Sequence, residues 1–289
     1  MSSERRRTCL GEVQSAVSAT RRERGRVKRF MIVAPARASV RFYAELNDHL
    51  APHQRHQTLE REFFTPVSVK NVIESFGIPH TEVELVVVNG ESSDFSRLVR
   101  DGDRVAVYPV FESLDITPEL HVRPQPLREP KFAVDVHLGR LAAYLRMLGF
   151  DTDYRNCASD AELVRIAAEQ ERILLTRDRG LLKHAAVTRG YWLRQTDSRR
   201  QATEVVSRFD LARLLRPFTR CMACNERLRP LYKEEIQKRV PLPIAARHEK
   251  FLECSACRRV YWEGSHYQRM QRWVEELTLA SQAAIRKLE

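Results

Sequence analysis

Apolar positions fall into three patterned stretches, each preceded by a polar or proline-rich segment. Residues 1–30 offer little that could pack and include Arg5-Arg6-Arg7 and the basic run from Arg21 to Arg29. They are expected to form a basic arm: a disordered leader, an upstream extension before a start near Met31, or a tail that touches RNA. From Ser39 the pattern changes. Ser39–Ala44 and His56–Thr65 read as extended segments. Val69, Val72, Ile73 and Phe76 then fall at helical spacing behind a Ser68 cap, with Gly77 and Pro79 as the stop. Val83–Val88 reads as a short apolar strand, Asp101-Gly102-Asp103 as a turn and Arg104–Phe111 as another strand. The order is strand, strand, helix, strand, strand.

Pro124, Pro126 and Pro130 mark an extended linker. After it, Lys131–Val134 reads as a strand ending in Asp135. Leu138, Leu141, Ala142, Leu145 and Leu148 then share a helical face that Gly149 terminates. Asp160 precedes a second helix with Leu163, Ile166 and Ala167 on one face; Arg172–Thr176 and Tyr191–Gln195 read as strands, followed by Asp178 and Asp197. Near the C-terminus Tyr267, Met270, Trp273, Val274, Leu277, Ala284, Ile285 and Leu288 stripe a last helix, expected to pack on the preceding domain. The expected divisions are 1–37 (arm), 38–118, 119–130 (linker), 131–218 and 219–289.

With 43% hydrophobic and 30% charged residues over 289 positions, the chain can bury sizeable cores. No apolar run approaches the roughly 18 residues of a spanning helix, so a cytoplasmic protein without membrane partners is expected. The net charge of +11 is segregated: +7 over residues 1–37, −7 over 38–122 and +11 over 123–289. A basic C-terminal half points to a polyanion, with RNA as the first partner to consider. The acidic middle reads either as a docking or regulatory module for a protein partner or as a structural appendage.

In open parallel sheets the functional crevice lies outside the carboxyl ends of the strands, so Asp135, Asp178 and Asp197 would reach one rim. Carboxylates gathered there repel unless a cation compensates, and Mg²⁺ or Mn²⁺ fits hard oxygen ligands and can activate water against a phosphodiester. The simpler readings are that Asp160 and Asp178 start helices and that Asp197 sits in a turn with Ser198. Arg177 and Arg179 flank Asp178 and are the candidate phosphate contacts; Arg140, Arg146, Lys183 and His137 lie nearby in sequence.

Two CxxC pairs, Cys221/Cys224 and Cys254/Cys257, are separated by 29 residues, while Cys9 and Cys157 stand alone. Four thiolates at this spacing point to a closed, structural Zn²⁺ site. Arg227, Arg229, Lys233, Lys250, Arg258 and Arg259 interleave with Tyr232, Phe251, Tyr261 and Trp262 around it, a mixture that suits either RNA backbone and bases or a small packed core.

Val86-Val-Val-Asn-Gly90 and Val99-Arg-Asp-Gly-Asp-Arg-Val-Ala-Val-Tyr-Pro109 resemble the ubiquitin-like β-grasp sulfur carriers of thiamine and molybdopterin synthesis. Those carriers work through a terminal Gly-Gly, and the chain has none, so sulfur transfer is not expected. Lys131-Phe-Ala-Val-Asp135, the segment through Asp151, Ser159-Asp-Ala-Glu162 and Arg172-Ile-Leu-Leu-Thr-Arg-Asp178 resemble the PIN-like Mut-seven C-terminal RNase family, whose similar members carry a ubiquitin-like domain in front and a zinc ribbon behind. The resemblance implies a multidomain α/β and α+β protein: a β-grasp domain, a PIN-like α/β domain with a parallel sheet, and a zinc ribbon with a C-terminal helix. It implies a divalent-metal-dependent ribonuclease in which Asp135, Asp160 and Asp178 bind Mg²⁺ or Mn²⁺. Thr176 matches the threonine of a Thr-x-Asp turn, and Asp197, Asp153 or Glu162 is the fourth acid. The alternatives are an RNA-binding adaptor that keeps the fold without turnover and a partner of sulfur-carrier enzymes.

Overall fold

The computed structural model describes residues 35–109, 129–236 and 239–285. Most of the expected arm, nearly all of the linker, Cys9 and Leu288 lie outside them. The N-terminal domain runs β1 (Ala36–Phe42), β2 (Thr58–Phe63), β3 (Val67–Ser68), α1 (Val69–Ser75), β4 (Val83–Val88), β5 (Glu91–Ser93), β6 (Leu98–Val99) and β7 (Arg104–Pro109). Its sheet has the order β2-β1-β7-β4-β5, with β1 parallel to β7 at the centre and antiparallel neighbours outside. Ser68 caps α1 by accepting the Asn71 N–H at 3.2 Å, and Val69, Val72 and Ile73 bury the helix against Val40, Phe42, Val86 and Val107. This is the β-grasp arrangement.

The second domain continues with β8 (Lys131–Val134), α2 (Gly139–Met147), β9 (Asp151–Tyr154), α3 (Asp160–Glu169), β10 (Ile173–Thr176), α4 (Arg179–Leu182), β11 (Gly190–Trp192) and α5 (Ser198–Arg208). All four strands are parallel, in the order β11-β10-β8-β9. Strand residues alternate between two cores: Phe132, Val134, Ile173 and Leu175 face α2 and α5, while Ala133 and Leu174 face α3 and α4. Gly149 ends α2 at φ +101°, and a β-carbon there would lie 2.3 Å from the Arg216 carbonyl, so only glycine fits.

The third region holds β12 (Leu228–Leu231), α6 (Lys233–Ile236), α7 (Leu242–Arg247), β13 (Phe251–Cys254), β14 (Val260–Trp262) and α8 (Ser265–Ile285). Its antiparallel three-stranded sheet carries the cysteines, and Met270, Trp273, Val274 and Leu277 of α8 complete the core beside α2 and α5. No described helix is long and apolar enough to cross a membrane.

Three acids of the N-terminal domain, Glu45, Asp48 and Glu82, are paired with arginines of the second domain. Glu82, 1% exposed, accepts from the Trp192 N–H at 2.6 Å and pairs with His49 Nε2 at 2.9 Å and Arg194 Nη2 at 3.2 Å. Arg194 also reaches Asp48 at 3.0 Å, Arg208 pairs with Glu45 at 2.7 Å, and His80 Nε2 meets the Val187 carbonyl at 2.9 Å. Burial alone raises the Glu82 carboxyl, but the His49 hydrogen bond and charge, Arg194 and the Trp192 N–H outweigh it and hold the group below the ordinary carboxylate value.

Glu82→Gln leaves Arg194 without its buried counter-charge and is expected to cost about 3 kcal/mol at neutral pH. A carboxyl that titrates lower when folded contributes fully above its unfolded value and loses that contribution as the pH falls through its folded value. Urea denaturation across acid and neutral pH should therefore find the gap between wild type and variant closing on acidification.

Candidate functional site

The chain leaves β8 toward β9 on one side and leaves β10 toward β11 on the other, so the carboxyl ends of these two neighbouring strands form the sheet's switch point. Asp135 follows β8 directly, and its N–H extends the ladder to the Leu175 carbonyl at 3.1 Å. Thr176, the last residue of β10, is fully buried. Its hydroxyl donates to Asp135 Oδ2 at 2.6 Å and accepts from the Asp178 N–H at 2.9 Å. Asp178 turns the chain into α4 by accepting the Gly180 N–H at 2.7 Å through Oδ1. One hydroxyl thus joins both strand ends, and Asp135 Oδ1 and Asp178 Oδ2 accept no hydrogen bond among the described residues.

Both carboxylates open on a cleft of about 840 Å³, which His137, Arg140, Tyr154 and Arg177 also line. Tyr154 donates its hydroxyl to the Val136 carbonyl at 3.0 Å and lies against Gly139, where a β-carbon would come within 2.6 Å of the phenol oxygen. Glycine there lets the ring close the floor of the cleft. Nothing local in the sequence marks Tyr154, because its placement depends on β9.

The remaining candidates are placed differently from expectation. Asp160 is the exposed first residue of α3, whose cap is Ser159, and it does not line the cleft. Asp197 caps α5 by accepting the Arg199 and Arg200 N–H groups at 3.1 and 3.0 Å, so it begins an 11-residue helix rather than a turn. Asp153 and Glu162 share Arg155, at 3.6 and 2.5 Å. Among the described residues the only set of three or more His, Cys, Asp or Glu ligand atoms within 4.8 Å of one another is the four cysteines; Asp135, Asp160 and Asp178 are not so gathered. Arg177 lines the cleft, whereas Arg179 donates to the His49 carbonyl at 3.2 Å and stacks on Trp192 at 5.0 Å. Lys183 donates to the Glu74 carbonyl at 3.0 Å. Arg179 and Lys183 therefore hold the acidic domain instead of facing the cleft.

The four sulfurs of Cys221, Cys224, Cys254 and Cys257 converge within 4.8 Å, as a tetrahedral ion with bonds of about 2.3 Å requires. Both CxxC turns are built alike. Asn225 and Arg258, at φ +75° and +62°, each return an N–H to the carbonyl of the turn's first cysteine, at 2.9 and 3.0 Å. Burial raises the Cys221 thiol, but the Tyr261 hydroxyl at 3.1 Å and the Cys224 and Ala223 N–H groups outweigh it and leave the thiol at about 7, whereas burial pushes the Cys224 thiol up to about 12. A soft, four-thiolate donor set fits zinc and leaves no open coordination position. Arg146, 4% exposed, anchors this turn to the second domain. It donates to the Ala223 and Met222 carbonyls at 2.8 and 3.3 Å and to the Thr152 carbonyl at 2.9 Å, so it is no phosphate ligand.

Thr176→Val keeps the shape but strands the Asp135 carboxylate and the Asp178 N–H, and is expected to lower the unfolding free energy by about 1–3 kcal/mol in urea titrations. Stripping zinc with a chelator should lower Tm and abolish near-UV circular dichroism from the tyrosines and tryptophan around the cysteines, because bound zinc is worth on the order of 10 kcal/mol to such a segment. Retention of both signals in metal-free protein would contradict a structural ion.

Two family profiles match the chain: the Mut7-C RNAse domain over residues 130–274 and the Mut7-C ubiquitin domain over residues 35–115. Comparison with curated proteins returns no match. Half of the sequence, containing the acidic cleft and the four cysteines, fits the first profile, with the ubiquitin-like domain in the expected place before it; the chain belongs to the Mut7-C RNAse family.

Proposed function

We propose that the protein is a divalent-metal-dependent ribonuclease whose centre is the pair Asp135 and Asp178 at the mouth of the β8–β10 switch point. The observation that carries this reading is the buried Thr176 hydroxyl, which fixes both strand ends in one arrangement. Two carboxylates, each with an oxygen left open, suit Mg²⁺ or Mn²⁺, which commonly takes one or two carboxylates and fills its remaining positions with water. When bound, such an ion neutralises the carboxylates, activates the attacking water and stabilises charge on the phosphodiester. Arg177 and Arg140, on the wall of the cleft, receive the phosphate and orient the strand. Tyr154 and Gly139 shape the floor. Asp160, outside the cleft lining, and Asp197, engaged as a helix cap, act at most on the surrounding field. The zinc ribbon holds RNA.

The second reading, an RNA-binding adaptor without turnover, draws on the observation that no third acid lines the cleft among the described residues. Zinc-loaded protein incubated with end-labelled structured RNA, with and without Mn²⁺, separates the two. The ribonuclease reading expects Mn²⁺-dependent cleavage that falls at least about 100-fold in Asp135→Asn and Asp178→Asn, since even groups that merely support a metal ligand are worth 10–100-fold. Asp160→Asn should retain most of the activity. RNA binding with no metal-dependent cleavage establishes the adaptor instead.

A further inference from the structure

A second cavity, of about 810 Å³, lies between the cysteine-bearing sheet and the start of α8, apart from the acidic cleft. Its lining combines the aromatic rings of Phe218, Tyr261, Trp262 and Tyr267 with the cations of Arg247 and Lys250. Phe218 and Tyr267 pack on each other with centroids 4.4 Å apart, and the Tyr261 hydroxyl is engaged by Cys221 at 3.1 Å. Trp262 differs. It sits on the edge strand β14, is 36% exposed and has no ring partner among the described residues. Arg247 and Lys250 are exposed and form no ion pair among the described residues, whereas Arg220 at the same groove reaches Asp151 at 3.8 Å. Glu263 is the single acid in the lining.

A large flat ring beside two uncommitted cations is the chemistry of single-stranded nucleic acid recognition: the ring stacks on a base and the cations take the adjoining phosphates. The groove also has a fixed relation to the acidic cleft. Gly139 and Arg140 at the start of α2 line the cleft, Met147 at its end lines the groove, and the helix between them is about 12 Å long.

We propose that this groove is a second RNA subsite, in which Trp262 stacks on an unpaired base while Arg247 and Lys250 hold neighbouring phosphates of the strand that also enters the cleft at Asp135 and Asp178. The proposal rests on the RNA-directed reading above, and it extends that reading to substrates with an unpaired segment long enough to occupy both places.

The test is fluorescence anisotropy of the full zinc-loaded chain with a labelled ten-nucleotide uridine oligomer, without added Mg²⁺ or Mn²⁺, combined with ultraviolet crosslinking and peptide mapping. Trp262→Ala should weaken binding by at least about five-fold. The double variant Arg247→Ala/Lys250→Ala, both at exposed positions, should reduce the slope of log affinity against log salt by about 1.4. Crosslinks should map to residues 247–268. Zinc content and Tm monitored alongside verify folding, and the double variant decides the matter if Trp262→Ala loses zinc. Unchanged affinity and salt slope, or crosslinks confined to other peptides, would overturn the subsite. Cleavage of structured RNA that persists with wild-type affinity in these variants refutes the groove alone; tight groove binding by a protein that cleaves no RNA refutes the ribonuclease reading alone.

Discussion

The cleft depends on one buried hydroxyl. Two parallel strands whose connections diverge leave a gap at their carboxyl ends, and two carboxylates placed there would repel each other and drift toward solvent. Thr176 prevents this by donating to the Asp135 side chain and accepting from the Asp178 backbone, both at short distances and out of contact with water. A hydroxyl is suited to the place because it is donor and acceptor at once. Its β-branched carbon also belongs naturally at the end of an extended strand. Asp135 Oδ1 and Asp178 Oδ2 are left without a hydrogen bond among the described residues, which the proposed hard cation needs.

Around that centre the three regions are joined by buried polar groups whose partners lie far apart in sequence. Glu82 binds the ubiquitin-like domain to β11 through Trp192 and Arg194, and Arg146 binds the first cysteine turn to α2 and β9. These contacts also account for part of the charge segregation. Arg179, Lys183, Arg194 and Arg208, counted in the basic half, are spent on Glu45, Asp48, Glu82 and on carbonyls of the acidic half. Arg140 and Arg177 at the cleft, and Arg247 and Lys250 at the ribbon groove, form no ion pair among the described residues, so a polyanion can use them.

Much of the strand framework was legible because apolar runs such as Val83–Val88 and Lys131–Val134 end where their hydrophobicity ends. The cysteine cluster was legible because metal spacing is a local pattern. Strand β9 was not: in Asp151-Thr-Asp-Tyr154 only Thr152 is buried, and Asp151 is held by Arg172 at 2.6 Å and Asn225 at 2.9 Å, both distant in sequence. Helix α5 was hidden by its polar opening turn, whose Asp197 cap resembles a simple turn residue. Arg146 and Arg177 look alike as letters. One is buried under the first cysteine turn and the other faces the cleft, and only the packing of residues roughly 75 positions away distinguishes them.

The proposed cation site rests on the Thr176 bridge, which holds Asp135 and Asp178 together. Anomalous diffraction from crystals soaked in Mn²⁺ tests it most directly, since the scattering locates the ion without reference to turnover. A manganese peak is expected in the cleft within coordination distance of both carboxylates, absent in Asp178→Asn. A wild-type crystal with zinc at the four cysteines and no manganese between residues 135 and 178 would contradict it.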